Sequence, residues 1–549
     1  MKRYWAHIVA STEKRVEEFL RGQVRDENRE DRGRLESDIV EGKPTVYLLT
    51  DCLCLYFCEE SRYCRSEELW EAVLSGVGFL ERWQREDGSM DYPSCNFFSA
   101  PDTAFCFRRL FGAWQLLDRY GASERELVLK DRYYAMMVKC ERILLYGGFH
   151  TPNHRWAVTA ALLCMAKLEE DEEKAALLKK RARQYLAEGI DGDEDGEYAE
   201  RSTGNYNAVV DKSLLLACES TGEESFLKYV ERNLTAMLYY IDGDDTIFTQ
   251  NSTRQDHGKK LYPDQYFYLY TWMAQRNGSA VFDAAAHKMI RDNRQRGDLA
   301  PDCMYIFMTH DALKNYEFQG YGYLAEYKKF FRGSRVLRVK KAAYEYTILA
   351  NKADFLYVKF GSLSMGVRIG EAYCDIRNFI PQSLEMEDSA CILSATALGW
   401  YYQPFGEAQE TTDWWKMDHQ KREKVITSSL DTNVAVRELK NGLEITVRTS
   451  GLSGLPLRVE LDVPAGCVLE NEAIRLTAPK GESMILKKDF LTLSGCGERL
   501  LLGPGFGAHA FGGHYSGEEK NTEGFSIFMN DYTPCERTFR VVRQYGAPL

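Results

Sequence analysis

Two segments of this 549-residue chain combine groups that can move protons with groups that can hold an anion. GGFHTPNHRW, residues 147–156, contains Asn153 and His154, and DGDEDGEYAERSTGNYN, residues 191–207, contains Arg201 and Tyr206. An amide and a guanidinium can neutralise a carboxylate, while an imidazole and a phenol can serve as base or acid. Removal of a proton beside a carboxylate requires this set of groups, because neutralising the carboxylate stabilises the charge that develops. We therefore predict these four side chains as catalytic residues acting at the acidic carbon of a uronic acid.

Structural roles compete with these assignments. Asn153 precedes an apolar helix and could be its N-cap, and Arg201 could simply pair with Glu200. His154 is expected at the start of that helix, where a neutral imidazole would be a ready base. Tyr206 could be a packed aromatic, and a phenol with an ordinary pKa near 10 is a poor base unless a cation such as Arg201 or Arg155 lowers it.

A third polar segment, QNSTRQDHGKKLYPDQ at residues 250–265, has neither helical nor strand periodicity, so its side chains are either solvated or functional. Together with the neighbours of the catalytic candidates it supplies the predicted substrate contacts. These are Arg155, Trp156, Tyr198, Glu200, Asn251, Arg254 and His257.

No metal site is predicted. His150 and His154 are four residues apart, but Pro152 between them breaks the helical spacing that a ligand pair would need. Cys52, Cys54, Cys58 and Cys64 lack the paired spacing of a structural zinc site and lie in or beside the apolar run TVYLLTDCLCLYFC, so we interpret them as core thiols.

The elements that must position these residues change character near residue 331. Up to that point helix follows helix, and nearly apolar helices alternate with helices that carry a charged face, which predicts an inner ring wrapped by an outer ring. A glycine precedes the next apolar helix every fifty to sixty residues, the period of one helical hairpin. The four glycines, Gly88, Gly148, Gly196 and Gly243, are therefore predicted to lie in loops on one face.

From Ser334 onward the segments alternate apolar and polar residues, and Asn441-Gly442 between two such runs predicts a hairpin. We predict an α+β multidomain protein, with an (α/α) toroid of helical hairpins at residues 1–332 and an antiparallel β-sandwich at residues 333–549. Aromatic loops of the sandwich that carry His419 and His514 are interpreted either as a contribution to the toroid mouth or as a sheet edge.

Composition limits the partners. A formal charge of −12 and no sustained Lys/Arg tract disfavour nucleic acid and anionic membranes. No window approaches the roughly 20 apolar residues of a membrane span, and the first twenty residues are typical of an amphipathic helix and not of a signal peptide. Fifteen cysteines indicate a reducing compartment, so we expect a cytoplasmic protein. The sequence leaves its oligomeric state open.

A toroid followed by a sandwich, with Asn153-His154 opening one inner helix and DGEYAERSTGNY (195–206) opening the next, resembles the heparinase II/III-like and alginate-lyase-like polysaccharide lyases. The resemblance implies that Asn153 neutralises the uronate carboxylate, that His154 serves as base in some members, and that Tyr206 acts as acid or as both acid and base. It implies no cofactor. The Gly-His-Ala-Asp motif that many heparinase-like members carry at the entry to the sandwich is absent, so His257 is the candidate for a second histidine.

Three functions follow as hypotheses. The first is a lyase that cleaves uronic-acid-containing oligosaccharides by β-elimination, with short substrates and exo action favoured by the cytoplasmic expectation. The second is a glycoside hydrolase, including hydrolases of unsaturated uronides, whose paired carboxylates stand roughly 6.5–9.5 Å apart in the inverting case. Its candidates are Asp102, Asp195, Glu200 and Asp245. The third is a carbohydrate-binding or scaffold protein without activity, which the polar loops disfavour.

Overall fold

The chain forms two units with separate interiors. The computed structural model describes residues 1–513 and 518–544, so His514 lies outside the described residues. The first unit comprises Met1–Ile241 and Asp245–Leu324, and the second comprises Asp242–Asp244 and Ala325–Leu549. The second unit begins before the predicted boundary at residues 332/333, because the strand Tyr327–Phe331 pairs with the strand Val336–Lys340.

The first unit is built of helices joined by short connections. The α-helices are α1 (Lys2–Gly22), α2 (Lys43–Phe57), α3 (Glu67–Trp83), α4 (Ala100–Tyr120), α5 (Glu124–Lys139), α6 (Glu141–Tyr146), α7 (Pro152–Leu168), α8 (Glu172–Leu186), α9 (Tyr206–Thr221), α10 (Leu227–Leu238), α11 (Phe267–Asn277), α12 (Ala280–Arg296), α13 (Met304–Thr309) and α14 (Asp311–Lys314). Short 3₁₀ turns at Glu224–Phe226 and Pro263–Tyr266 precede α10 and α11.

Inner and outer helices alternate as predicted. Helix α7 is buried almost all round, whereas α8 buries only Ala175, Leu178, Ala182 and Tyr185 along one stripe. The inner helix α2 packs on α4, α4 on α7 and α7 on α9, while α13 packs on α2 and α4 and α1 packs on α12 and α13. The last helices thus return to the first and close a ring, which confirms the predicted (α/α) toroid.

A glycine turn ties successive hairpins together. Gly33, Gly88 and Gly196 have φ of +102°, +86° and +90°, and a Cβ on any of them would collide with the backbone carbonyl of an outer helix, at Ser75, Lys139 or Arg232 respectively. The hairpin period predicted from the sequence is real at Gly88 and Gly196. Gly148 and Gly243 do not share this geometry, and Asp245, with φ of +65°, takes the left-handed position in the fourth loop.

The second unit is a sandwich of two sheets. Its strands are β1 (Tyr327–Phe331), β2 (Val336–Lys340), β3 (Glu345–Leu349), β4 (Leu356–Phe360), β5 (Leu363–Tyr373), β6 (Ile376–Asn378), β7 (Ser383–Met386), β8 (Ala390–Tyr402), β9 (Lys424–Leu439), β10 (Gly442–Gly451), β11 (Pro456–Pro464), β12 (Val468–Glu470), β13 (Arg475–Thr477), β14 (Ser483–Ile485), β15 (Leu491–Gly495), β16 (Glu498–Gly503), β17 (Gly524–Tyr532) and β18 (Glu536–Arg543). Two 3₁₀ turns, Trp414–Lys416 and His419–Lys421, lie between β8 and β9.

One sheet has the order β1-β2-β3-β4-β5-β11-β17-β14 with β6 on β5, and the other has the order β13-β12-β15-β16-β18-β10-β9-β8-β7. Inward-facing side chains of both sheets form one hydrophobic core, which explains the alternating pattern of the sequence. The pairing is antiparallel except between β14 and β17. The hairpin predicted at Asn441-Gly442 joins β9 to β10.

Two further predictions concern the cysteines near α2 and membrane-spanning segments. Cys52, Cys54 and Cys58 are buried at α2 and its C-terminal cap. Within residues 1–513 and 518–544, no helix is long and apolar enough to cross a membrane.

Candidate active site at the start of the inner helices

The inner helices begin at neighbouring positions on one side of the toroid. Proline occupies the first turn of α2, α4 and α7 and opens the 3₁₀ turn before α11, where the missing N–H costs nothing. Lys43 Nζ at the start of α2 donates to Asp102 Oδ1 in α4 at 3.0 Å, and the rings of Phe105 in α4 and His154 in α7 lie 5.8 Å apart. Helix N-termini carry positive partial charge, so this end of the ring favours an anion.

Glu200 joins the two segments that carry the catalytic candidates. Its carboxylate accepts hydrogen bonds from the backbone N–H of Asn153 at 2.9 Å and from Nδ2 of Asn153 at 2.8 and 3.0 Å. Thr151, not Asn153, is the N-cap of α7, and its side chain makes no capping bond. A carboxylate from a different loop therefore satisfies a free N–H of the helix, and the buried Asn153 is fixed in one orientation.

Arg254 extends this cluster to Tyr206. Its Nε lies 3.2 Å from Glu200 Oε1, and its guanidinium carbon stands 5.2 Å from the centre of the Tyr206 ring. Thr253 donates twice to the Glu200 carbonyl, from N at 3.2 Å and from Oγ1 at 2.9 Å, which holds the 250–257 loop in place. Arg254 is thus a cation beside Tyr206, a role that the sequence predicted for Arg201 or Arg155.

Tyr206 is half-buried at the first position of α9. Its backbone N–H donates to Ser202 Oγ at 2.9 Å, and Ser202 Oγ in turn donates to Asp256 Oδ1 at 2.8 Å. Asp256 also accepts from Gly204 N at 2.9 Å. The turn that presents the Tyr206 ring is therefore braced by a buried carboxylate from the third polar loop.

His154 is 7% exposed, and its ring packs edge-on against His150 at 4.7 Å. Burial, His150, Arg254 and Lys43 together outweigh the opposite effect of Asp102 and lower the pKa of His154 to about 4. Its Nδ1 is buried and has no hydrogen-bond partner among the described residues. His154 is therefore a neutral imidazole at neutral pH, with Nε2 as the nitrogen available to a ligand.

Two residues of these loops have a strained backbone conformation. Arg201, which is half-buried, and Phe98 each have φ of +49°, a left-handed conformation that side chains rarely adopt. Strain of this kind persists where the surrounding structure enforces it, often at functional sites. Phe97 and Phe98 are 61% and 58% exposed and offer an apolar surface at the same end of the toroid.

Several predicted substrate contacts have structural partners instead. Arg155 donates to the carbonyl oxygens of Tyr185 and Gly189 at the end of α8. The buried Trp156 donates its indole N–H to Asp191. These two side chains hold α7 against α8 and its following loop.

Two further candidates lie in the interior. The hydroxyl of Tyr198, which is 2% exposed, donates to Asp211 Oδ1 at 2.8 Å. The buried Asn251 Nδ2 lies 3.3 Å from Glu197 Oε1 and 3.4 Å from the Tyr240 hydroxyl. His257, by contrast, is exposed on the loop that carries Arg254.

Sequence reasoning missed Lys43 and Phe105. Lys43 Nζ stands 4.7 Å from the centre of the Phe105 ring as well as bonding to Asp102, and both residues face the surroundings of His154. The signal for Lys43 was its position before Pro44, since a proline at the first turn marks the inner helices that form this end of the toroid.

Three of the four carboxylates considered for hydrolysis, Asp102, Glu200 and Asp245, lie beside cations. Although burial acts in the opposite sense, Lys43 and the hydrogen bonds from Ser99 and Asn96 hold the pKa of Asp102 below its ordinary value. Asp245 pairs with Lys288. Burial raises the pKa of Glu200, against the hydrogen bonds from Asn153 and the charge of Arg254.

The toroid and the sandwich define the class: the chain has the fold of the polysaccharide lyases. No protein-family model matches the sequence, and no curated protein matches it. Among solved structures, xanthan lyase from Paenibacillus is similar with a TM-score of 0.60 and 10% identity over 99% of this chain. Chondroitin AC lyase from Streptomyces coelicolor A3, solved in complex with chondroitin sulphate, has a TM-score of 0.57 and 11% identity over 100% of this chain.

A heparan sulfate lyase mutant from Pedobacter heparinus has a TM-score of 0.52 and 10% identity over 97% of this chain. The chain spans 58% of the length of the xanthan lyase, 80% of the chondroitin AC lyase and 83% of the heparan sulfate lyase. The resemblance inferred from the sequence is confirmed for the fold.

Proposed function

We propose that this protein is a lyase that cleaves uronic-acid-containing glycans by β-elimination at the start of the inner helices. The observation that carries the proposal is the arrangement around Glu200. This carboxylate holds Asn153, beside the neutral His154, and Arg254, over the Tyr206 ring. A base, a phenol and a cation are thus supported by one buried network.

The uronate carboxylate would be neutralised by Arg254, by Arg201 and by the helix N-termini. The amide hydrogens of Asn153 are already donated to Glu200 and Thr151, and its buried Oδ1 has no partner among the described residues. In this proposal Asn153 is therefore a positioning residue with a free acceptor, and not the direct donor to the carboxylate that the resemblance implied.

The reaction then needs one base and one acid. The Nε2 of His154 accepts the proton from the carbon beside the carboxylate, and the electron pair forms a carbon–carbon double bond as the glycosidic C–O bond breaks. The Tyr206 hydroxyl gives its proton to the departing sugar oxygen, so that one product carries an unsaturated uronyl end. Arg254 stabilises the phenolate that remains on Tyr206 until it is reprotonated.

Hydrolysis is less well supported. A glycosidase needs one carboxyl group that stays protonated to act as acid. Asp102 has a lowered pKa beside Lys43. Burial raises the pKa of Glu200, but both of its oxygens are occupied by Asn153 and Arg254, so a proton on them could not be passed to a substrate. Neither carboxyl group therefore suits the role of general acid.

The proposed substrates are short oligosaccharides. The two exposed rings of Phe97 and Phe98 provide stacking surface for one or two sugar units. The experiment is to incubate the protein with uronate di-, tri- and hexasaccharides and polymers, and to follow the ultraviolet absorbance of the conjugated product. New reducing ends without that absorbance would show hydrolysis and contradict the proposal.

The decisive variant is Tyr206→Phe, which keeps the ring but removes the proton. We expect turnover to fall roughly 10²–10⁴-fold with an unchanged melting temperature. Tyr229→Phe is the matched control, because the guanidinium of Arg232 stands 4.6 Å from that ring on the outer helix α10. A fully active Tyr206→Phe protein would overturn the assignment of Tyr206.

A further inference from the structure

A cavity lies among the inner helices α4, α9, α11 and α13. Arg108 and Lys212 line it, each six residues beyond a residue of the candidate active site on its own helix, Asp102 and Tyr206. Six residues correspond to about 9 Å along a helix axis, so this cavity lies deeper in the toroid. Its volume is ≈ 40 Å³, enough for a few waters or one small anion.

The two cations of this cavity lack an acidic partner. Within the part of the chain that the structure describes, neither Arg108 nor Lys212 forms an ion pair or a side-chain hydrogen bond, and Arg108 Nε is buried. The neighbouring Arg109 differs, since its Nη1 donates to Asp302 Oδ1 at 3.0 Å. Glu219 also lines the cavity, but its Oε1 is bonded to His310 Nε2 at 2.6 Å.

Neutral donors complete the lining. The rings of Tyr268 and Tyr305 face the cavity, and burial raises the pKa of both hydroxyls, so they remain protonated and able to donate. An arginine cannot lose its proton in a protein, so the positive charge of Arg108 must be met by solvent or by an anion.

We propose that this cavity is a binding site for a small oxyanion, held by the Arg108 guanidinium, the Lys212 ammonium and the tyrosine hydroxyls. The shared chemistry is a compact group with two or more anionic oxygens, which inorganic sulfate or phosphate and a carboxylate all provide. The site is separate from the candidate active site, and the inference does not depend on the proposed lyase activity.

Anion binding should be linked to proton uptake by Lys212. Burial, Arg108 and Arg109 lower the pKa of Lys212 to about 7, against the opposing effect of Asp302. The other titratable groups near it are the buried Asp211, Cys303, and the cavity-lining Glu219, His310 and two tyrosines. Because an anion stabilises the ammonium, binding near pH 8 should take up a fraction of a proton, and this uptake should vanish near pH 6.

The test is calorimetric titration of the full chain with sulfate, phosphate and glucuronate at constant ionic strength, with chloride replaced. We expect saturable binding of at least one of these anions, and at least tenfold weaker binding in Lys212→Met and in Arg108→Gln. Binding of sulfate but not glucuronate would identify an inorganic ligand, and the reverse would identify a sugar acid.

Lys228→Gln is the matched control, since it removes one positive charge from an exposed position on α10. Without added oxyanions, Lys212→Met should melt at or above the wild-type temperature, because the charge that repels Arg108 is gone. An equal response of all variants would reveal a general salt effect and overturn the proposal. Absence of saturable binding in the wild type would overturn it too.

Discussion

Burial and nearby cations decide the charge of His154. Its pKa is lowered to about 4 in the folded chain, whereas an exposed histidine in the unfolded chain titrates near 6.5. Between these two values the unfolded state binds a proton that the folded state does not. The stability of the folded state that depends on a neutral His154 is therefore fully present above pH 6.5, and it is lost as the pH falls toward 4.

Between pH 6.5 and pH 4 we expect the unfolding free energy of the wild type to fall more steeply than that of His154→Gln. The difference in slope against pH should correspond to at most one bound proton. Chemical unfolding at several pH values measures it. His257→Gln is the control, because that side chain is exposed on the 250–257 loop and its removal should leave the slope unchanged. Parallel curves for wild type and His154→Gln would contradict the assigned burial effect.

Residue chemistry was predictable only where the chain itself set the direction of a side chain. Asn153 and His154 follow a proline that starts a helix, and this placed them correctly at one end of the toroid. Tyr198 could not be placed in this way, because its direction depends on the buried Asp211, thirteen residues later. Arg254 and Glu200 were predicted as separate substrate contacts, and the sequence did not reveal that they pair with each other.

At the scale of elements, the hairpin period was visible because the turn between hairpins demands a special residue. Gln23, Gln84 and Asn233 donate side-chain hydrogen bonds to the carbonyl oxygens of Gly33, Gly88 and Gly196. The recurring glycines revealed this turn in the sequence. Their spacing did not show that Gly148 and Gly243 lack the positive φ and the close approach to an outer helix. Strand alternation likewise predicted the sandwich but not the order of its strands.

Gly196→Ala should lower stability by clearly more than the roughly 1–2 kcal/mol of a left-handed alanine, since the new Cβ would meet the Arg232 carbonyl. Gly222→Ala is the matched control, with φ of +76° and open space around its Cβ position. The difference between the two unfolding free energies isolates the collision with α10. Equal losses of unfolding free energy in the two variants would mean that α10 moves away from the new Cβ without a loss of stability.

At the scale of the whole molecule, the first unit must close into a ring through elements far apart in sequence. Arg15 of α1 bonds to Asp51 of α2 at 2.7 Å and to the Ala300 carbonyl at 3.0 Å. Arg109 of α4 holds Asp302, just before α13. Periodicity could predict that helices wrap around one another, but not which charges meet at the closure, since these pairs span 36 to 285 residues.

Arg109→Met should destabilise the first unit by up to about 3–5 kcal/mol. Asp302 then loses its direct partner, and the remaining nearby cation, Arg15, is already paired with the buried Asp51. Arg132→Met on the outer helix α5 is the control. Its guanidinium also makes two 2.8 Å bonds, to Glu81, but both partners are exposed enough that about 1 kcal/mol or less should be lost.

The pH dependence separates lost charge from lost packing. Without Arg109, the folded-state pKa values of Asp302 and Asp51 should rise, so the folded chain takes up protons as the pH falls and the penalty shrinks between pH 8 and pH 5. A penalty that stays constant over that range would assign the loss to packing of the arginine stem. Unfolding free energies of both variants and the wild type at the two pH values decide between these outcomes.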